Sequence, residues 1–439
     1  MNFNLSDVCE KDIHAIIDAY IEKRGIPMDQ IKRFDFDMKP KKEKFFLTPL
    51  AYLLSFPTVW KRRLKVNKVN MKGLKPPYIL LCTHHAFIDF KVTTAAIFPH
   101  RANYIVAIDG FIGREWLLRN VGGIGKRKFT NDTKLVKQIK YSLEELKYIV
   151  AIYPEARYSL VGTTAILPDS LGKIVKLMKR PVVVLNMHGN YLSQPVWNLK
   201  ERKNRIAADM TQIITQEEIE GLDVLEINRR INEAFVYDEY AWQKENRIKI
   251  DFKDRAKNIH KVLYQCPSCL KEHEMDSDRH EIWCNHCGKR YEMDVYGELK
   301  ATEGVTEFPH IPDWYEFERQ QVKKQLLEGT YRFEDEVKIE SLPNAKGYIP
   351  LGDGYLKHDE KGFVLTGEEM GKPLELIKEP LALYSLHIEY DYMGKGDCID
   401  LSTFSDTYYI YPKTKKNVVT KLHFAVEELY KIEKEKLKK

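Results

Sequence analysis

The stretch LLCTHHAFIDF, residues 80–90, joins an apolar run to two histidines and an aspartate. Its first residues have the composition of a buried strand. In a parallel sheet, the residues that follow a strand's carboxyl end are where α/β proteins carry their chemistry. His84 and Asp89 stand in that place, and a turn into a helix would let the carboxylate reach the imidazole. We therefore predict a catalytic base and its orienting carboxylate at this strand end.

Similar apolar runs recur along the chain, and helical patterns separate them. The strand-like runs occupy residues 78–82, 103–108, 148–153 and 181–186. Helical spacing occupies residues 113–121, 133–147 and 169–179. Alternating strands and helices predict an α/β fold with a mostly parallel sheet and flanking helices. Residues 191–260 are charged and mostly helical in pattern, so we predict no further strand there.

The sequence divides into four segments. These are an N-terminal helical segment (1–44), the α/β domain (45–255), a cysteine-containing ribbon (256–298) and a β-rich domain with a C-terminal helix (299–439). Short, partly alternating runs after residue 300 predict an antiparallel β unit. The predicted closing helix has one apolar face, formed by Val418, Leu422, Ala425, Leu429 and Ile432. Strands closed by one amphipathic helix suggest a small barrel or sandwich of the pleckstrin-homology type.

Charge is distributed unevenly, although the net charge is only +6. No Asp or Glu occurs from Lys44 to Ile88, a stretch rich in Lys and Arg. Such a basic block suits an anionic surface, either a membrane or a nucleic acid, and is equally compatible with a solvated face. The apolar stretch 45–60 is too short to span a membrane and is interrupted by Pro49 and Pro57. It predicts either a helix in the membrane interface or a helix packed on the core.

Four of the seven cysteines form two Cys-x-x-Cys pairs, Cys266/Cys269 and Cys284/Cys287. Two such pairs supply the four soft ligands of a tetrahedral zinc ion. Because four thiolates fill the coordination sphere, we predict a structural zinc; the alternative is reduced cysteines without metal. Few aromatic residues accompany basic ones here, so we expect the ribbon to staple the fold rather than bind nucleic acid. The other cysteines form no disulfide framework, which predicts a reducing, cytoplasmic setting.

The His84/Asp89 pair lacks an obvious nucleophile of its own. A carboxylate on one ring nitrogen fixes the tautomer and favours the cation that forms when the other nitrogen takes a proton. Since no Gly-x-Ser-x-Gly elbow occurs in this region, the pair would activate a hydroxyl brought by a substrate. The neighbouring His85 points to the other face of an extended segment, which favours a structural role. VGGIGKRK (121–128) is not a phosphate loop, because Asn120 stands where that loop needs its first glycine.

Four blocks occur in order: THHAFID at 83–89, VGGIGKRK at 121–128, YPEARYS at 153–159 and RPVVVLNMHG at 180–189. Together they resemble the motifs of the glycerolipid acyltransferase family, which includes glycerol-3-phosphate and lysophosphatidate acyltransferases. The resemblance covers about residues 70–195. Thr83 replaces the Asn of the first block, and Ala156 replaces the Gly of the third. The third-block arginine sits one place early, at Arg157, with Tyr158 in its usual position.

The resemblance implies an acyl transfer. His84 would take the proton of an acceptor hydroxyl, Asp89 would orient the imidazole, and the oxygen would attack the thioester of an acyl-CoA or acyl-carrier protein. The acceptor would be lysophosphatidate, a related lysophospholipid or glycerol phosphate. The enzyme would lie at an anionic membrane surface, peripheral on the inner face of the cell membrane. The implied substrate contacts are Gly122, Arg127, Lys128, Glu155 and Arg157, with Lys126 a further candidate for a phosphate clamp.

A different class of function also fits this sequence. A degenerate α/β core with the zinc ribbon as reader would make a non-catalytic lipid- or nucleic-acid-binding protein. The intact His84/Asp89 pair, which such a protein has no need to keep, favours the enzyme.

Overall fold

The computed structural model describes residues 31–130, 132–369 and 371–438. The helical pattern at residues 11–23 and Cys9 lie outside the described residues. Three sheets organise the described chain, one in the α/β unit, one in the ribbon and one in the C-terminal β unit.

The sheet of the α/β unit has seven strands in the order β1-β7-β6-β2-β5-β3-β4. They are β1 (Lys65–Val69), β2 (Ile79–Cys82), β3 (Ala102–Ala107), β4 (Gly123–Lys126), β5 (Ile149–Ile152), β6 (Val182–His188) and β7 (Ala207–Ile214). Strands β6, β2, β5, β3 and β4 run parallel. The predicted mostly parallel sheet is confirmed, and the four apolar runs form β2, β3, β5 and β6.

One strand lies where we predicted none. Strand β7 falls within residues 191–260 and pairs antiparallel with β6 and parallel with β1. The expectation was wrong because AADMTQII mixes polar with apolar residues: Ala208 and Met210 are buried, whereas Asp209 between them is half-buried. Strand β1 is an edge strand in the basic block and is mostly exposed.

Helices flank this sheet on both faces. They are α1 (Thr48–Lys61), α2 (Asp89–Ala96), α3 (Glu115–Asn120), α4 (Thr133–Glu144), α5 (Ser170–Met178), α6 (Asn190–Ser193), α7 (Glu218–Gly221), α8 (Val224–Ala234) and α9 (Glu239–Glu245). Val59 of α1 and Val92 of α2 share a buried cluster with Leu80. Helices α4, α5 and α8 share the opposite cluster with Leu81. Alternate residues of β2 thus feed two separate cores.

The ribbon is a four-stranded antiparallel sheet in the order β11-β10-β9-β8. Its strands are β8 (Met275–Asp278), β9 (Glu281–Cys284), β10 (Arg290–Met293) and β11 (Leu299–Ala301). Helix α10 (Ile311–Leu327) follows and contacts the ribbon's base. Its Trp314 Nε1 donates to the carbonyl of Gln265, 2.9 Å away, and its buried Glu318 accepts from the Gln265 N–H at 2.8 Å.

The C-terminal unit is a seven-stranded antiparallel sheet followed by one helix. Its order is β15-β14-β13-β12-β18-β17-β16. The elements are β12 (Phe333–Ser341), β13 (Ile349–Asp359), β14 (Gly362–Glu369), β15 (Lys372–Lys378), β16 (His387–Glu389), β17 (Cys398–Ser402), β18 (Thr407–Pro412) and α11 (Val419–Lys436). The predicted antiparallel unit with a closing helix is therefore present. Helix α11 buries Leu422, Ala425 and Leu429 of its predicted apolar face.

The three units share one hydrophobic core. A single cluster of buried side chains joins Tyr191 of the α/β unit, Tyr264 and Ile282 of the ribbon, and Ile410 and Phe424 of the C-terminal unit. The ribbon therefore packs against both other units. This position fits the expectation that it staples the fold.

Candidate active site

The turn after β2 is built around Asp89, the first residue of α2. One carboxylate oxygen, Oδ2, accepts hydrogen bonds from the backbone N–H groups of His85 at 2.6 Å and Ala86 at 3.0 Å. These bonds satisfy backbone donors that a strand-to-helix turn leaves without partners. Thr83 ties the same turn to β6, because its hydroxyl accepts from the Met187 N–H at 3.0 Å. The backbone of the turn thus holds the Asp89 carboxylate in place.

His84 and Asp89 form the predicted pair. His84 Nδ1 lies 3.0 Å from Asp89 Oδ2, and Asn190 Nδ2 donates to Asp89 Oδ1 at 2.8 Å. The Asp89 side chain is 1% exposed, whereas that of His84 is 25% exposed. Among the described residues, His84 Nε2 has no hydrogen-bond partner. With Nδ1 donating to the carboxylate, Nε2 keeps a lone pair that no described residue uses, which is what a general base requires.

The Glu155 carboxylate accepts a hydrogen bond from the backbone of His84. Its Oε2 accepts from the His84 N–H at 2.9 Å, and its Oε1 accepts from the Tyr237 hydroxyl at 2.7 Å and the Ala165 N–H at 3.1 Å. Burial raises the pKa of Tyr237 well above its usual value, and the Glu155 carboxylate adds to the rise. Tyr237 therefore stays a neutral donor. Both Glu155 oxygens thus accept hydrogen bonds from protein groups, one of them from the backbone of His84.

Two tyrosines that we did not predict flank the His84 imidazole. The ring centroids of Tyr153 and Tyr158 lie 4.5 and 4.3 Å from that of His84. The Tyr153 hydroxyl is 3.0 Å from the Thr93 hydroxyl. Burial raises the pKa of both tyrosines, which keeps them protonated. Both belong to the third sequence block, YPEARYS, but nothing in their spacing indicated contact with His84.

Arg157, one of the predicted substrate contacts, points away from His84 towards helix α11. Its guanidinium lies 3.2 Å from His423 Nε2 and 3.6 Å from Glu427 Oε1, and it donates to the Tyr158 carbonyl at 3.1 Å. Arg319 of α10 pairs with the same Glu427 carboxylate at 2.6 Å. Arg157 is buried. In this arrangement it joins the third block to the C-terminal unit.

Arg127 and Lys128 also bind protein groups. Arg127 donates to the carbonyls of Leu342, Pro343 and Ser405 and to the Thr407 hydroxyl, at 2.7–3.1 Å. Lys128 Nζ lies 2.7 Å from Asp109 Oδ2, 3.0 Å from His387 Nε2 and 3.6 Å from Asp400 Oδ2. All these partners except Asp109 belong to the C-terminal unit. The contacts argue against the predicted phosphate clamp and give both residues a role in docking that unit.

Gly122 has a packing role in the structure. It is buried with φ of +96°, and a Cβ there would lie 2.8 Å from the Ala102 carbonyl oxygen. Glycine is the residue that tolerates both conditions. Lys126 differs from its neighbours, since it is half-buried and makes no hydrogen bond or ion pair with described residues. Ile124, two residues earlier, packs in the α4/α5 cluster, so Lys126 points to that face of the sheet.

Helix α1 carries an exposed apolar surface beside the site. Only Ser55 and Val59 of this helix are fully buried. Leu50, Leu53, Leu54 and Trp60 are 43, 69, 56 and 69% exposed. Within the described ranges, no helix is both long and apolar enough to cross a membrane.

Helix α1 runs antiparallel to α2 and ends near His84. Phe56 packs against Phe98 beyond the far end of α2, with ring centroids 5.5 Å apart. Closer to its C-terminus, Thr58 accepts a hydrogen bond from Lys91 at 2.9 Å. Phe87, at the α2 N-terminus, is 64% exposed. The apolar surface therefore extends along α1 towards the catalytic turn.

The four ribbon cysteines lie close enough to share one ion. Cys266 and Cys287 Sγ are 3.7 Å apart, Cys269 and Cys284 Sγ are 3.8 Å apart, and all four lie within 4.8 Å of one another. A tetrahedron with Zn–S bonds of about 2.3 Å has S···S edges of about 3.8 Å. The residues thus fit a structural zinc ion, which would join the two halves of the ribbon.

No protein-family model and no curated protein matches the chain. A solved structure of the 1-acyl-sn-glycerophosphate (LPA) acyltransferase PlsC from Thermotoga maritima is a distant structural neighbour, with a TM-score of 0.32 and 11% sequence identity. The alignment covers 42% of this chain and 79% of that chain. A likeness of this strength supports no conclusion about chemistry, so the function has to be argued from the site itself.

Proposed function

We propose that this chain is an acyltransferase that moves a fatty acyl group from an acyl thioester to the hydroxyl of a lipid acceptor. The observation that carries the proposal is the His84–Asp89 pair. Its imidazole is oriented by a buried carboxylate, and the His84 side chain is 25% exposed. Such a pair can deprotonate a hydroxyl, and no hydroxyl of the described residues hydrogen-bonds to His84 Nε2.

The reaction balances with these two side chains alone. His84 Nε2 takes the acceptor's hydroxyl proton while the oxygen bonds to the thioester carbonyl carbon. Asp89 stabilises the imidazolium that forms. The tetrahedral intermediate then breaks its C–S bond, and the imidazolium returns the proton to the leaving thiolate. The products are an ester and a free thiol.

Among the described residues, Cys82 is the thiol nearest to the pair in sequence, and it does not fit a nucleophile. It is fully buried at the end of β2, two residues before His84. Burial raises its pKa far above the usual value, so the thiol stays protonated. Reactive cysteines need the thiolate and access to substrate. Direct attack by the acceptor hydroxyl is therefore favoured over an acyl-enzyme route.

The surface of α1 supports a membrane location for this chemistry. Exposed leucines and a tryptophan suit a membrane interface. Basic residues of the adjoining strand β1, such as Lys65 and Lys68, suit anionic headgroups. Arg62 does not contribute, since it is buried and paired with Glu201. An acyl chain lying along α1 would approach the turn that carries His84.

The motifs imply acyl-CoA or acyl-carrier protein as donor and lysophosphatidate, a related lysophospholipid or glycerol phosphate as acceptor. The proposal itself requires a lipid hydroxyl. Which headgroup that lipid carries depends on the charges around His84.

The proposal is tested by thiol release from long-chain acyl-CoA with a panel of lipid hydroxyls, including lysophosphatidate and monoacylglycerol. His84→Ala should lower the rate at least about 1,000-fold, and Asp89→Asn about 100-fold or more, because both remove general-base catalysis. His100→Ala, at an exposed histidine, is the matched control and should leave the rate unchanged. Turnover retained in His84→Ala would remove this residue from the mechanism. Vesicle binding without thiol release by the unaltered protein would favour the non-catalytic lipid-binding alternative.

A further inference from the structure

We infer that the acceptor is an uncharged lipid alcohol, one that holds no phosphate beside its reacting hydroxyl. This inference rests on the proposed function and names its acceptor class. It comes from three observations on the carboxyl edge of the α/β sheet: where the cations point, what surrounds His84 instead, and what holds the cations in place.

Three cations of the second and third sequence blocks already contact protein groups. Glu427 pairs with Arg157, and Asp109 and Asp400 surround Lys128. Main-chain carbonyls and one hydroxyl accept from the two terminal nitrogens of Arg127, while the Nε atoms of Arg127 and Arg157 are buried without a partner. A phosphate arriving at this edge would have to displace these partners, several of which are themselves buried carboxylates.

Two further cations, Lys126 and Lys91, form no ion pair with a described residue, and their ammonium groups lie away from the His84 ring. Lys126 is three strands from β2, a separation of about 14 Å at the usual strand spacing. Its side chain points to the α4/α5 face, whereas His84 contacts Tyr153, which packs against the opposite core cluster. Lys91 is two residues after Asp89, about 200° round helix α2, and its ammonium donates to Thr58 of α1.

The groups that do surround the His84 ring are aromatic, and beyond them acidic. Tyr153 and Tyr158 lie against the imidazole, and Tyr158 occupies the place that the family's arginine would take. Burial raises the pKa of Tyr158, and the carboxylates of Asp89, Glu389 and Asp109 raise it further. Two neutral phenol rings therefore enclose the imidazole on this side. A phosphate dianion would lose its hydration here, whereas an uncharged lipid would not.

The cations cannot readily be released, because the surface that holds them is part of a hydrophobic core. Ile108 and Phe111, which follow β3, are buried in one cluster with Tyr348, Cys398 and Tyr409 of the C-terminal unit. Tyr409 also donates to Asp109 Oδ2 at 3.1 Å. Freeing Arg127 or Lys128 would mean separating these packed side chains, which is far more costly than moving a loop.

The test compares acceptors with the full-length protein in neutral detergent micelles and palmitoyl-CoA as donor. Thiol release and the identity of the ester, by mass spectrometry, are measured with monoacylglycerol and with lysophosphatidate of the same acyl chain. We expect kcat/KM for monoacylglycerol to exceed that for lysophosphatidate about ten-fold or more. Glycerol 3-phosphate should not compete with the acceptor. Preference for lysophosphatidate, or competitive inhibition by glycerol 3-phosphate, overturns the inference and leaves the proposed function standing.

Arg157→Gln distinguishes two roles for Arg157: docking of the C-terminal unit and binding of the acceptor's phosphate. A docking role predicts an equal fractional change in kcat/KM for both acceptors, while a clamp predicts a selective rise in KM for lysophosphatidate. The exposed Lys137→Gln is the matched control. If Arg157→Gln does not fold, the acceptor comparison in the unaltered protein still decides the matter. Failure of every acceptor to give an ester removes the proposed function and this inference together.

Discussion

The carboxyl ends of β2 and β4 lie at the same edge of one sheet, but they differ in what covers the residues that follow them. At β2 the chain leaves His84 partly exposed above a buried aspartate. At β4 the next two residues, Arg127 and Lys128, are covered by the C-terminal unit. Both ends carry blocks of the same resemblance, so motif identity does not decide which end is open. What packs on the edge decides it: the C-terminal unit covers the residues after β4 and contacts Arg157 after β5, but the His84 side chain stays 25% exposed.

The largest expected effect comes from the zinc site, because the ribbon lies in the hydrophobic cluster that joins all three units. Replacing Cys266 and Cys284 by serine should lose about one zinc per chain and unfold the protein. Structural zinc supplies about 10–16 kcal/mol in small domains, as much as the whole stability of a typical domain. Metal analysis and thermal unfolding measure this, with the exposed Ser268→Ala as control. Native protein that contains no zinc would show the ribbon interpretation to be wrong.

Lys128→Met tests whether the residues after β4 are held by ion pairs with protein groups. It leaves Asp109 and Asp400 without their shared cation, and we expect a loss of about 3–5 kcal/mol in the free energy of unfolding. Lys126→Met is the matched control, because Lys126 has no such partners, and it should change stability by less than about 1 kcal/mol. Urea unfolding gives both values. A raised acceptor KM with unchanged stability in Lys128→Met would instead indicate a substrate contact.

Asp109 makes the same end sensitive to acid. Burial alone would raise its pKa, but the attraction and hydrogen bond of Lys128 outweigh burial and lower the pKa from 3.8 to about 2. A lowered carboxyl pKa stabilises the folded state fully above the unfolded value of 3.8, and the contribution is lost as the pH falls towards about 2. The loss amounts to about 2 kcal/mol. In Asp109→Asn, the midpoint of urea unfolding should depend less on pH between these two values than it does in the unaltered protein. An unchanged pH dependence would contradict the pairing of Asp109 with Lys128.

The smallest expected effect concerns the open end and its approach from the membrane. Trp60→Ser removes an exposed aromatic side chain from α1 and should weaken binding to vesicles of phosphatidylglycerol and phosphatidylethanolamine about five-fold, roughly 1 kcal/mol. Val236→Ser, at a 72% exposed position outside α1, should leave binding unchanged. Vesicle sedimentation measures both. Equal losses in the two variants would remove α1 as the membrane surface.

Much of the fold followed from local patterns. The runs that became β2, β3, β5 and β6 are buried on both faces, and continuous apolar runs are what such strands require. Strand β7 was missed because its sequence is half polar, as its place next to the edge strand allows. The cysteine cluster and the His84–Asp89 pair could also be predicted from the sequence, since both depend on residues close together in the chain.

The sequence alone therefore determined the parallel sheet, the His84–Asp89 pair and the four thiols that fit zinc. Only the tertiary structure decided which groups Arg127, Lys128 and Arg157 contact, because most of their partners lie more than 200 residues away in the C-terminal unit. It also placed Tyr153 and Tyr158 on the His84 ring and Glu155 on the backbone of His84. The physical reason is that a charged side chain takes the nearest buried partner that three-dimensional packing provides, and sequence spacing carries no record of that partner.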